Sequence, residues 1–139
     1  MAAQQTGTPA MLSHLSFGVQ DLEGAAAFYD RVLAPLGYGQ VWASATGVGF
    51  GPPGAGDKLA LFPRPGDAAP PGRGFHVALE APRRAAVDAF HAAAMAAGGR
   101  DEGRPGLRPH YGATYYAAFV VDLDGHKLEA VHQGGAESA

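Results

Sequence analysis

Cysteine is absent from all 139 residues. That removes disulfides, thiolate metal sites and a cysteine nucleophile from consideration, and it is compatible with a cytoplasmic protein, the location expected here. Long apolar runs are also missing: no stretch approaches the roughly 20 residues that a membrane-spanning helix needs. Met1 to Ala10 has no basic segment followed by an apolar one, so no secretory leader is expected there. A surplus of positive charge is lacking too. Ten lysines and arginines stand against 13 aspartates and glutamates, a net charge of −3 that leaves no electrostatic footprint for nucleic acid. Neither a Walker A sequence nor a Gly-x-Ser-x-Gly elbow occurs, and Gly47-Val48-Gly49-Phe50-Gly51 reads as a glycine-bearing strand. What remains is a chain of 47% hydrophobic residues, long enough for one domain with a buried core.

The chain carries one pattern twice. His14 is followed fourteen residues later by Phe28 and twenty-three later by Gly37, and His76 is followed at the same intervals by Phe90 and Gly99. Each copy closes on a related strand, Lys58-Leu59-Ala60-Leu61-Phe62 and Lys127-Leu128-Glu129-Ala130-Val131. Such a period predicts two supersecondary modules that cannot bury their apolar faces alone. Module one spans 11–62 and module two 75–132, joined by a Pro/Gly-rich linker at 63–74 into a single domain over 11–132. The small polar ends, 1–10 and 133–139, read as flexible tails.

Alternation in Leu12 to Val19 predicts a strand with Leu15, Phe17 and Val19 on one face and His14 on the other. Ala25, Phe28, Val32 and Leu36 form one helical stripe after a cap at Asp21, and Gly37 stops it. Module two repeats this, with Phe75, Val77 and Leu79 under a helix striped by Ala86, Val87, Phe90 and Ala94. In the closing strands Leu59, Leu61, Leu128 and Ala130 face the helices, which puts Lys58, Ala60, Phe62 and Glu129 on the opposite, concave face. The segment Asp101 to Thr114 exceeds its counterpart in module one and reads as an inserted loop.

Period-two reasoning therefore aims His14, His76 and Glu129 at one concavity. Two imidazoles and a carboxylate with open positions suit a divalent ion such as Fe(II), Mn(II), Zn(II) or Ni(II). The plain alternative is two hydrogen-bonded histidines beside a carboxylate that is solvated or paired to an arginine. His110 and Tyr111, in the inserted segment, are candidates to shuttle a proton. Trp42, Phe50, Arg108, Tyr115 and Tyr116 are candidates for substrate contacts. His126, beside a hairpin turn, is expected to be exposed, His91 to flank its helix and His132 to be structural. Ser13 and His14 are expected to point apart and form no dyad.

The opening Leu12-Ser13-His14-Leu15-Ser16-Phe17-Gly18-Val19-Gln20-Asp21-Leu22, with Phe28-Tyr29 and Leu36-Gly37, resembles the glyoxalase/bleomycin-resistance/extradiol-dioxygenase (vicinal oxygen chelate) superfamily. So does the ending Phe119-Val120-Val121-Asp122-Leu123-Asp124-Gly125-His126-Lys127-Leu128-Glu129. The resemblance covers residues 11 to 132 and implies an α+β fold of two βαβββ modules, forming a curled mixed sheet around a cup with helices outside. It implies metal ligands at His14, Ala60, His76 and Glu129. Ala60 departs from that set, which argues against a true glyoxalase I. Two functions are implied: a divalent-metal-dependent lyase, dioxygenase or transferase that chelates substrate oxygens, or a metal-free small-molecule binding or resistance protein. The resemblance also implies a homodimer in which His14 of one chain faces His76 and Glu129 of the other.

Overall fold

A computed structural model describes residues 11–136. The tail expected at 1–10, and residues 137–139 of the other, lie outside the described residues; Gln133 is tied down, its carbonyl accepting from the Thr114 hydroxyl at 2.7 Å. Module one runs β1 (Leu15–Val19), α1 (Leu22–Leu33), a 3-10 turn (Ala34–Leu36), β2 (Gly39–Ser44), β3 (Gly47–Gly51) and β4 (Leu59–Pro63). Module two runs β5 (Val77–Glu80), α2 (Arg84–Ala96), β6 (Arg100–Leu107), β7 (Tyr116–Val121) and β8 (Lys127–His132). The fold is α+β, two βαβββ modules that each build a four-stranded mixed sheet. The sheet orders, β1-β4-β3-β2 and β5-β8-β7-β6, are the same design used twice. In each, the first and last strands pair parallel and the rest antiparallel.

The apolar stripes account for this arrangement. Ala25, Phe28, Val32 and Leu36 of module one, and Ala86, Val87, Phe90 and Ala94 of module two, are all buried. They merge with Phe17, Val19, Leu59, Leu61, Val77, Leu128 and Ala130 into one core cluster drawn from both modules. The helices thus lie on the sheet faces opposite Ala60 and Glu129 and also pack on each other. Gly37 ends the first helical segment at φ 90°, a left-handed conformation that favours glycine, and its N–H bonds the Ala34 carbonyl. Asp21 stands at the N-cap position, but its side chain makes no capping bond.

Three local expectations need correction. Regular pairing begins at Leu15, not Leu12, so His14 precedes the strand. The first half of the segment read as an inserted loop is β6, whose bulged register against β7 absorbs extra residues; Gly103 and Pro105 hid it as a strand. Only residues 108–115 form the turn. His126 is buried, not exposed. Its ring stacks on Phe17 of the other module with centroids 4.1 Å apart, and its Nδ1 meets Asp122 Oδ2 at 3.1 Å.

Asp122 is the hub of that seam. Its carboxylate accepts from the Tyr29 hydroxyl of module one at 2.5 Å and from the backbone N–H groups of Asp124 and His126. Burial alone would raise the Asp122 pKa, but the bonds from His126 and Tyr29 outweigh it and hold the group below its ordinary value. Burial, and then the charge and bond of Asp122, push the Tyr29 phenol up. The linker is anchored as well: Gln20 Oε1 accepts from Gly66 N–H, and Gln20 Nε2 donates to the Ala68 carbonyl.

Candidate functional site

β8 places Glu129 between Leu128 and Ala130, and the pleat turns its side chain away from the helices. The carboxylate lies at the floor of that face, only 2% exposed, beneath a His76 side chain that is 41% exposed. Both oxygens are engaged. His76 Nε2 lies 2.9 Å from Oε1, and the Tyr115 hydroxyl donates to Oε2 at 2.5 Å. Burial and then the bond to Glu129 push the Tyr115 phenol up to about 12, so it stays a donor at neutral pH. Where the carboxylate accepts from the imidazole, Nε2 carries the hydrogen and Nδ1 keeps a lone pair. The array can thus fix a ring, present one nitrogen lone pair and offer one phenol.

Phe119 pairs with Glu129 across the β7–β8 ladder and completes the floor. Its ring stands edge-on to His76 at 5.7 Å, with Lys127 Nζ and the Arg108 guanidinium 5.2 and 5.6 Å from its centroid. Arg108 is held in place by bonds to the Gly106 and Arg104 carbonyls. Sequence reasoning missed Phe119 and Lys127. Alternation could have found Lys127, two residues before Glu129, whereas Phe119 needed the strand register.

The other candidates scatter. His14 is exposed and bonds Ser13 Oγ at 3.0 Å, contrary to the expected separation, because neither residue is within the strand and the pleat does not govern them. It lines a groove of about 380 Å³ with His76 and Phe75, yet among the described residues no three His, Cys, Asp or Glu side chains could hold one metal ion. The residues of one chain therefore do not by themselves make the expected triad. Phe50 pairs with Leu59 and sits in the core 6.0 Å from the Tyr29 ring, on the helix side of its sheet instead of the opposite face. Tyr116 likewise turns to α2, donating to Asp88 at 2.6 Å. His110 and Tyr111 are exposed, their rings tilted by 40° with centroids 4.1 Å apart, and Tyr111 is 5.2 Å from Tyr115 at the rim. His91 bonds Asp101, and His132 Nδ1 meets the Ala81 carbonyl.

On module one the sheet face away from the helix is filled by the chain itself. Trp42 lies on the strip left bare by Gly47 and Gly49, its ring centroid 6.0 Å from that of Phe62. Ala60 is buried beside Gly49. A Cβ at Gly49 would run into the indole, so Gly49→Ala is expected to expel Trp42 and red-shift its emission. Stability should change by no more than about 1 kcal/mol, since replacing a strand glycine offsets part of the lost contact. Unshifted emission would mean that the indole does not rest on Gly49.

A family profile described as the Glyoxalase/Bleomycin resistance protein/Dioxygenase superfamily matches residues 11–130. A glyoxalase/bleomycin resistance protein from Albidiferax ferrireducens T118 is 34% identical, with 88% of this chain and 98% of that one covered at a TM-score of 0.75. A glyoxalase-related enzyme from Fulvimarina pelagi shares the fold at 20% identity and TM-score 0.67, covering 88% of each chain. A bleomycin-binding protein in complex with bleomycin shares it at 23% identity and TM-score 0.57, covering 88% of this chain and 98% of that one. No curated protein sequence matches significantly. With a profile spanning nearly the whole fold and a relative above 30% identity, the chain belongs to the glyoxalase/bleomycin resistance protein/dioxygenase superfamily.

Proposed function

We propose that this protein binds a small molecule on the face of β5, β8 and β7, with Glu129 and His76 as its central polar contacts. The observation that carries this reading is a nearly inaccessible carboxylate whose two oxygens are both bonded, beneath an imidazole half open to solvent. Such a charge is expensive to bury unless its bonds hold it in one geometry, which is what a binding floor needs. The fold shared with a bleomycin-binding protein supports a ligand-enclosing role. The test is a ligand screen by thermal shift, since a ligand that binds only the folded state raises Tm by mass action. Ligands found with the wild type should lose at least roughly tenfold in affinity in Glu129→Gln. Unchanged binding there would move the site elsewhere.

A second reading, metal-dependent chemistry, has one observation in its favour: His14 is exposed and shares a groove with His76 at the seam between the modules. In a two-fold homodimer His14 of one copy would join His76 and Glu129 of the other. Those donors, two imidazoles and a carboxylate, suit a divalent ion that would act as a Lewis acid toward ligand oxygens. Tyr115 then competes for Glu129 Oε2. Mn(II), Zn(II), Ni(II) or anaerobic Fe(II) should raise Tm, and the increase should grow in Tyr115→Phe. Mixing His14→Ala with Glu129→Ala protein should restore one intact centre per heterodimer. No Tm shift with any of these ions would leave the metal-free reading alone.

A further inference from the structure

We propose that the ligand of this face carries a carboxylate or phosphate group, held in an oxyanion subsite formed by Arg73, Arg100 and Lys127. The proposal builds on the reading of the Glu129 face as a ligand site. Arg100, Val121 and Lys127 stand opposite one another across β6, β7 and β8, in the row beside the one that holds Phe119 and Glu129. Val121 is buried, and the linker lines an open groove of about 450 Å³ along this row, placing the exposed Arg73 at its edge. Lys127 and Glu129 point the same way on one strand, so the groove begins roughly 7 Å from the carboxylate. Phe119 bridges the two, touching His76 on one side and Lys127 on the other.

The charges there are out of keeping with the chain. The whole sequence is net acidic, yet three of its ten lysines and arginines line this one groove. The single acid of the lining is Glu102, and among the described residues no carboxylate lies within 4.0 Å of Arg73, Arg100 or Lys127. Like charges gathered along one groove raise the local positive potential, and an oxyanion placed among them is attracted to all three. A guanidinium pair suits the planar, bidentate geometry of a carboxylate or phosphate, and the ammonium adds a point charge. Arg108 lies against the same Phe119 ring as Lys127, toward Glu129, and this short basic stretch suits a compact ligand with a single anionic group better than an extended polyanion.

The test is a titration of the 15N-labelled protein with inorganic phosphate at pH 7.5, with sodium chloride adjusted to hold ionic strength constant. Saturable shifts are expected at Gly72, Gly74, Arg100, Val121 and Lys127. A parallel titration with acetate tells a phosphate subsite from a carboxylate one, and saturation by either supports the proposal. Arg100→Gln/Lys127→Gln should weaken the effective oxyanion at least roughly tenfold, and Arg73→Gln by a smaller factor. Arg31→Gln, on exposed α1 surface, should change nothing. Glu129→Gln should also leave phosphate binding intact, so failure of the Glu129 reading and failure of this one give different results. Shifts that chloride reproduces, or an unaltered affinity in the folded double variant, would overturn it.

Discussion

Replacing Asp122 by alanine should lower the stability of this protein by about 3–5 kcal/mol, enough to take roughly 10–20 °C from Tm. The side chain is a single acceptor for the Tyr29 hydroxyl, the His126 ring and two backbone N–H groups. Alanine leaves all of these at a buried seam without that partner, and each orphaned polar group costs about 1–3 kcal/mol. Domains of this size have only about 5–15 kcal/mol in total. The effect should depend on pH. Asp122 is held below its ordinary pKa in the fold, so its contribution is fully present above the unfolded value of about 4. It is lost as pH falls through the lower folded value. The gap between wild type and Asp122→Ala should therefore be wide at pH 7 and narrow below about pH 4. Denaturant melts across that range check it; a gap that widens in acid would show that His126 and Tyr29 do not stabilise the ionised form.

Phe90→Ala should cost a similar amount, about 3–5 kcal/mol, because a fully buried ring leaves a cavity that a shared core cannot collapse around. The informative readout lies in the other module. The single tryptophan, Trp42, is on β2, while Phe90 is on α2. Phe28 and Phe90 belong to one cluster, and the Phe17–His126 stack and Tyr29–Asp122 bond cross the same boundary. Unfolding of module one should follow that of module two in one cooperative step. Trp42 emission in Phe90→Ala should then shift its midpoint together with the far-ultraviolet circular dichroism. Emission that keeps the wild-type midpoint would mean that each module stands on its own core.

Both variants probe what local patterning could and could not convey. The stripes through Phe28 and Phe90 and the alternation around Glu129 are properties of single elements, with periods of 3.6 and 2 that a chain must obey whatever it packs against. They were enough for the two modules and the face on which Glu129 stands, whereas the α+β fold of βαβββ modules was implied by the resemblance of the opening and closing segments to a known superfamily. His126 was misread because its neighbours say only that it adjoins a turn. Its burial comes from Phe17, more than a hundred residues away, across the seam where the modules meet.

The same division runs through the site. That Ala60 and Glu129 occupy equivalent strand positions, and that His76 leads into its strand as His14 does, was written in the repeat. Which of these meet was decided by the tertiary structure. His76 and Tyr115 stand just before β5 and β7, and they reach Glu129 only because those strands flank β8 in a particular register, which is set by turns and bulges between strands. His14 lies before its strand begins, so alternation could not aim it, and its partner became Ser13. Phe50 and Tyr116 fell to the helix side for the same reason of register. Sequence periodicity fixes the face of an element a side chain occupies, whereas the neighbours across that face depend on pairings between distant segments that no local pattern contains.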